Sequence, residues 1–396
     1  MSIAGEVAIV GVGCTPFGEH FDKPWEDLAV SASLDALADA GLDLDRVDAA
    51  WVGTTFPGNS FGGGESGTSL ADPLRLGPRP VTRIENQCAS GMDAMRHAAF
   101  AVASGRHEVA LAVGAEKLRD VSPRGSLVAG FVRSYHPVRG KGITAPGMFA
   151  LLGTRQMKEL SFGREVLADV AVKNHRNGAR NPKAHFRKEV TKDEVLAAPI
   201  VSSPLGLLDC CPTTDGAAAV VVTSREFAEK HVDRYAVIRS ITLATWQWHD
   251  NPYLPSHDFM GFKASQDSAR RAYAEAGITD PVGEIDVVET HDCFTATELI
   301  NIGDLGLADR ADIPKLLADG WFDVDGEMPV NTSGGLQACG HPIGATGCRM
   351  VYQVVNQVWR RAGDMQVDGA RVGMAHNLGG PGALSLIAII EGVGAA

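Results

Sequence analysis

"ALADAGLDLDRVDAAWVGTTF" (residues 36–56) and "AYAEAGITDPVGEIDVVETHDCF" (272–294) decide the fold, because each reads helix, Ala-Gly stop, short loop, strand, polar residues and Phe. The Ala-Gly pairs fit helix C-terminal breaks. Val47-Asp48 falls opposite Ile285-Asp286, and Phe56 opposite Phe294. A second match follows between "CASGMDAMRHAAFAVASG" (88–105) and "GATGCRMVYQVVNQVWRRAG" (344–363). In each, Ser/Thr-Gly precedes a helical pattern, Met92, Met95, Ala99, Val102 in one and Met350, Val351, Val354, Val355, Val358 in the other. A third match pairs "DGAAAVVVTS" (215–224) with "GALSLIAIIE" (382–391), both continuous apolar strands. Three matches in one order describe a duplicated chain of βα units. They predict a mostly parallel sheet covered by helices on both sides.

The spacing locates an insertion. Gly91 and Gly347 stand 256 positions apart, but Gly216 and Gly382 only 166, so the first half carries 90 extra residues, roughly 119–211. Between Arg119 and Lys192 there are 15 Lys and Arg against 5 Asp and Glu, a net of +10 in a chain whose total is −12. A basic module on an acidic body suggests a polyanionic ligand; the bland reading is a solvated basic face. Residues 1–118 with 212–243 are expected to form the first half, 119–211 the inserted segment and 244–396 the second half.

Composition excludes several classes. The chain of 396 residues is 45% hydrophobic and 21% charged, an ordinary globular balance. No apolar run approaches the ~20 residues that cross a bilayer. "MSIAGEVAIVGVG" has no basic segment before its apolar stretch and reads as a first strand. "EGVGAA" carries no peroxisomal or lipidation signal, so a cytosolic (cytoplasmic) protein is expected. Seven cysteines, an odd number with no C-x-x-C pair, suggest neither a disulfide framework nor a metal site. The negative charge argues against nucleic acid, and the inserted segment has one Tyr, no Trp and no RNP-like pattern.

Four stretches carry chemistry. "ENQCASGM" (85–92) puts Cys88 just before a helix, where the dipole is expected to lower a thiol pKa and make a nucleophile. "NTSGGLQACGHPIGATG" (331–347) wedges His341 between Gly340 and Pro342, a rigid turn that suits a general base. "HNLGGPG" (376–382) offers backbone N–H groups for an oxyanion hole. "THDCF" (290–294) sets His291, Asp292 and Cys293 at a strand end.

Together these motifs resemble the thiolase family over essentially the whole chain. Common thiolases have Asn-Glu-Ala-Phe where this chain has His291-Asp292-Cys293-Phe294, and a Cys where it has His376. Both departures resemble the sterol-carrier-protein type. The resemblance implies two βαβαβαββ halves in five layers, αβαβα, with the inserted loop domain docking coenzyme A. It implies Cys-dependent acyl transfer on 3-oxoacyl-CoA, with CoA as substrate and no tightly bound cofactor, as in fatty acid β-oxidation. Cys88 would be the nucleophile, His341 its base and Cys293 the relocated acid/base. His291, with a water, and His341 would hold the thioester oxygen. The N–H groups of Cys88 and Leu378 would hold the tetrahedral oxyanion, with His376 and Asp292 in support. Family members are dimers or tetramers, and some work with a small OB-fold partner. The rival readings are a retro-aldolase on CoA thioesters and a non-catalytic acyl-CoA or lipid carrier.

Overall fold

The computed structural model describes residues 3–57, 63–121, 144–247 and 257–394. Residues 122–143 of the inserted segment, with Arg124, Arg133, Arg139 and Lys141, lie outside the described residues.

Nine strands form the main sheet: β1 (Val7–Cys14), β2 (Ala49–Gly53), β3 (Val81–Ile84), β4 (Val109–Glu116), β5 (Gly216–Ser224), β6 (Arg234–Thr245), β7 (Val287–Thr290), β8 (Val372–Gly379) and β9 (Leu384–Gly394). Their order is β3-β2-β4-β5-β1-β6-β9-β8-β7. Read outward from the centre, the first half runs β1-β5-β4-β2-β3 and the second β6-β9-β8-β7. A parallel bridge from Val288 to Val330 takes the fifth place. Each half thus repeats the other's topology, as the three sequence matches require. The halves join through a two-residue antiparallel ladder between β1 and β6 (Ala8 opposite Val237, Ile9 opposite Ala236).

The sheet is mixed, which corrects the mostly parallel expectation. Among the described strand pairs β2·β3, β2·β4 and β7·β8 are parallel; β1·β5, β1·β6, β4·β5, β6·β9 and β8·β9 are antiparallel. In each half the last strand returns between two earlier ones and runs against both. Apolar runs announce burial on both faces but not direction.

The principal helices are α1 (Trp25–Ala40), α2 (Ser90–Ala103), α3 (Ala145–Glu159), α4 (Arg164–Arg180), α5 (Lys263–Ala276), α6 (Thr295–Asp304), α7 (Gly335–Cys339) and α8 (Thr346–Val358). α1 covers the outer face of β1, β4 and β5, and α5 covers β6 and β9. α2 and α8 touch each other, and α8 packs on strands of both halves, so the pair fills the space between them. The layers are therefore α1, first-half strands, α2 with α8, second-half strands and α5. The period of two along β5 shows the same division: Ala218, Val220 and Val222 face the inner core, and Ala217, Ala219 and Val221 face α1.

The Ser/Thr-Gly pairs before α2 and α8 gain their reason here. A Cβ on Gly91 would stand 2.4 Å from Gly344 O, and one on Gly347 2.3 Å from Met92 N. Glycine at both helix starts lets the two backbones meet at the centre of the molecule, beside Cys88 and His341.

Candidate active site

Cys88 follows β3 on a tight loop. Gln87 takes a left-handed φ of 53° and turns the chain before the cysteine. Ser90 Oγ clamps that loop, donating to Gln87 O (2.6 Å) and accepting from Asn86 N (2.9 Å). α2 starts at Ser90, as the sequence predicts, yet the thiol is not acidified. The N–H groups of Ala89 and Ser90 are spent on Asn86 O and Gln87 O (3.2 and 3.1 Å). Burial pushes Cys88 up to about 12, and the nearby Glu116 adds to the rise; N–H groups of Gly380 and of Cys88 itself oppose it. The expected dipole-stabilised thiolate is thus corrected to a resting thiol, because desolvation outweighs the helix end.

His341 projects from the Gly-rich turn between α7 and α8. Gly340, at φ 104°, has no room for a side chain against Thr214. Thr346 Oγ1 donates its one proton to Pro342 O (3.0 Å), so it accepts from His341 Nδ1–H at 2.7 Å. That leaves Nε2 unprotonated. Burial, then Arg349, pushes the imidazole down to about 3, so the ring is neutral.

His291 leaves the end of β7. Asn377 Nδ2 lies 3.0 Å from His291 Nδ1 and donates to it, which places the proton on Nε2. Its backbone oxygen accepts from Asn301 Nδ2 of α6 (2.7 Å). Burial, then the neighbouring His341, lowers its pKa well below the ordinary range. The rings of His291 and His341 meet edge to face, 5.1 Å apart at 86°. One nitrogen of each ring and Cys88 Sγ lie within 4.8 Å of one another. Two neutral imidazoles of opposite tautomer, one a base and one a donor, converge on one thiol. The same three atoms are a donor set that a soft divalent metal could use.

Cys293 stands beside this cluster, buried, with Sγ 3.7 Å from Thr297 Oγ1. Burial raises its pKa well above the ordinary value, and charge on Cys211 or Cys88 would raise it further. His376 stands behind. Its Nδ1 meets Thr290 Oγ1 (2.8 Å), and its Nε2 meets Ser265 Oγ and Ser385 Oγ (3.2 and 3.1 Å). With both nitrogens occupied by hydroxyls, it props the end of β7. Asp292 accepts from Leu336 N (2.6 Å) at the start of α7 and from Asn174 Nδ2 (2.9 Å). Leu378 is buried in β8 opposite Ser385, whereas the N–H that reaches Cys88 belongs to Gly380, two residues on.

Sequence reasoning missed Thr346, Asn377 and Glu116, and within "HNLGGPG" it named Leu378 where Gly380 reaches Cys88. Glu116, at the end of β4, accepts from Thr54 Oγ1, Thr55 N, Phe56 N and Gly344 N (2.9–3.0 Å). It thereby ties the loop after β2 to the turn that carries His341. A lone acid ending an apolar strand was its one visible signal.

A thiol served by a lone-pair imidazole and an N–H donor, on a duplicated α/β scaffold, defines an enzyme of acyl transfer. Residues 7–226 match the family described as "Thiolase, N-terminal domain", and residues 247–392 match "Thiolase C-terminal domain-like". The acetyl-CoA acetyltransferase of Methanothermobacter thermautotrophicus is 38% identical over 389 residues, 98% of this chain and 99% of the relative. Human sterol carrier protein 2 is 34% identical over 402 residues, 96% of this chain and 70% of the relative. Among solved structures the Ltp2-ChsH2(DUF35) aldolase superposes with a TM-score of 0.84 at 26% identity, covering 98% of both chains. The chain belongs to the thiolase family and is an acyltransferase of that family.

Proposed function

We propose that the chain performs reversible thiolysis of 3-oxoacyl-CoA, with Cys88 as nucleophile and Cys293 as acid/base. His341 Nε2 takes the proton of Cys88, and the thiolate attacks the keto carbon. The C–C bond breaks toward the α-carbon, and the Cys293 thiol protonates the departing acetyl-CoA enolate. CoA then enters, gives its proton to the Cys293 thiolate and attacks the acyl-enzyme, releasing the shortened acyl-CoA and Cys88, which takes its proton back from His341. His291 Nε2–H, aided by a water and by His341 once it is protonated, stabilises the thioester oxygen. The N–H groups of Cys88 and Gly380, rather than that of Leu378, hold the tetrahedral oxyanion.

The observation that carries this reading is the convergence of Cys88, His291 and His341 within 4.8 Å, with the tautomer of His341 set by Thr346. Intact-protein mass spectrometry after mixing with acetyl-CoA tests it. One acetyl group on Cys88, removable by CoA, is the expected result; no acetyl-enzyme would sink the reading.

The aldolase reading gains support from the 26% identity to the Ltp2-ChsH2(DUF35) aldolase. Cys88→Ala separates the two, since C–C cleavage that survives this substitution needs no acyl-enzyme. The same neighbour supports a second protein component here. We assign CoA phosphates to the inserted segment 119–211, between a first half of 1–118 with 212–233 and a second half that opens with β6 (Arg234–Thr245) rather than at the expected residue 244. A homodimer is supported by the open outer edge of β3, with which no described strand pairs.

A further inference from the structure

We propose that Lys173 and Asn174, carried by α4 of the inserted segment, are positioning residues for the acid/base loop 290–294; this rests on the role assigned to Cys293 above. Lys173 is almost fully buried; its ammonium donates two hydrogen bonds and forms an ion pair with a third group. Its Nζ lies 3.0 Å from Glu298 Oε1, 2.7 Å from Asn174 Oδ1 and 2.8 Å from Val330 O. Asn174 is buried too, and its amide nitrogen donates to Asp292 Oδ2 (2.9 Å) and Glu298 Oε2 (2.8 Å). Asn331 Nδ2 also donates to Glu298 Oε2 (2.7 Å), while its Oδ1 accepts from Thr290 N (2.9 Å).

The network therefore grips the loop at Thr290 and Asp292, either side of His291 and directly before Cys293. It also reaches the chain that leads to His341, through Leu336 N on Asp292. Close backbone contact fixes α4 against that chain: a Cβ on Gly334 would stand 2.6 Å from the Cα of Gly178.

Lys173, Asp292 and Glu298 are all buried and costly to desolvate, and removing one partner strands the others. A hydrophobic contact would hold α4 to α6 more cheaply. What charges and a saturated amide add is direction, since each donor fixes one acceptor. Lys173 and Asn174 touch no reacting atom; they act through the loop. The segment read as the CoA dock thus also sets the geometry of carbon protonation.

Two half-reactions separate positioning from general damage. Acetylation of Cys88 by acetyl-CoA does not need Cys293. Exchange of the acetyl-CoA α-hydrogens into D2O does. A 1 Å misplacement costs on the order of 10²-fold. Lys173→Met and Asn174→Ala should slow exchange roughly 10- to 100-fold, with acetylation within about threefold of wild type. Lys173→Met with Glu298→Gln should recover most of the exchange, because neither member of that ion pair is left without the other. Exchange and acetylation falling together, or exchange unchanged, would overturn the proposal. If Lys173→Met fails to fold, Asn174→Ala, which leaves the ion pair intact, carries the same comparison. Wild type that neither acetylates nor exchanges would sink the thiolase reading and this inference with it; wild type that does both beside indifferent variants sinks the inference alone.

Discussion

At Cys88, half-buried at the loop before α2, desolvation suppresses the thiolate. With the thiol pushed up to about 12, alkylation by iodoacetamide should rise about tenfold per pH unit from pH 7 to 10. A plateau near the ordinary value of 9.0 would show that the sulfur is not desolvated. Cys293 gives the second test at this scale. Cys293→Ala should slow thiolysis by about 10²–10⁴-fold, the contribution of an acid/base group, yet leave acetylation of Cys88 detectable. Near wild-type turnover in that variant, beside a dead His376→Ala, would move the role to His376. Cys88, His291, Cys293 and His341 were legible because each sits in a short motif whose neighbours constrain the backbone. Thr346 and Asn377 were not. Thr346 reads as an ordinary helix start, and only the fold sets Asn377, 86 positions from His291, against that ring.

At the level of elements, the site is the meeting point of α2, the end of β4 and the turn before α8. Cβ atoms on Gly91 and on Gly114 would each stand 2.4 Å from the same oxygen, Gly344 O. Backbone atoms on both sides leave no flexible side chain to yield. Gly91→Ala should therefore destabilise the protein by roughly 1–3 kcal/mol. It should also cut turnover on the order of 10²-fold by moving the His341 turn away from Cys88. Gly18→Ala, where nothing lies within 4 Å, is the control. Denaturant midpoints and kcat for the two variants check this, and equal behaviour would mean the approach of α2 to that turn is not tight. The duplication that places these elements was readable from the helix-stop and Ser/Thr-Gly matches, because they preserve spacing. Strand direction was not, since it depends on where each half's last strand inserts.

Across the whole molecule, charge is divided between a basic segment and an acidic body, and part of that charge is already engaged. Arg119, Lys173 and Arg176 of the inserted segment pair with Glu19, Glu298 and Asp323 of the body. The segment's net of +10 therefore overstates what a ligand meets. The KM for CoA should still rise with added salt, because exposed phosphate contacts are screened over ~8 Å at physiological ionic strength. A flat response would leave the segment's charge a means of docking to the body alone.

The buried titratable groups set a stability window for the whole fold. Burial lowers the pKa of His291, His341 and His376, the last two to about 3, against an ordinary 6.5. Below pH 6.5 the unfolded chain takes up protons that the native sites refuse. The stability is thus complete above 6.5 and is lost as pH falls toward 3. Each such histidine costs about 1.4 kcal/mol per pH unit in that range. Desolvated thiols, buried at Cys14 and Cys293 and half-buried at Cys88 and Cys211, act with the opposite sign. Cys14 and Cys88 are raised to about 12 from 9.0, and Cys211 and Cys293 are raised well above it. Their contribution is complete below 9.0 and is lost as pH climbs toward 12. The buried carboxyls of Asp292, raised to about 8, and of Glu116, Asp209 and Asp304, also raised by burial, oppose the histidines, because they hold protons that the unfolded chain has released. Urea midpoints should therefore fall as pH climbs above about 9, and on the acid side wild type should lose stability relative to His376→Asn as pH falls from 6.5 toward 3. A difference between wild type and His376→Asn that stays constant from pH 7 to 5 would mean that His376 is not held neutral in the native fold, and the desolvated setting that keeps His341 a lone-pair base would lose its support.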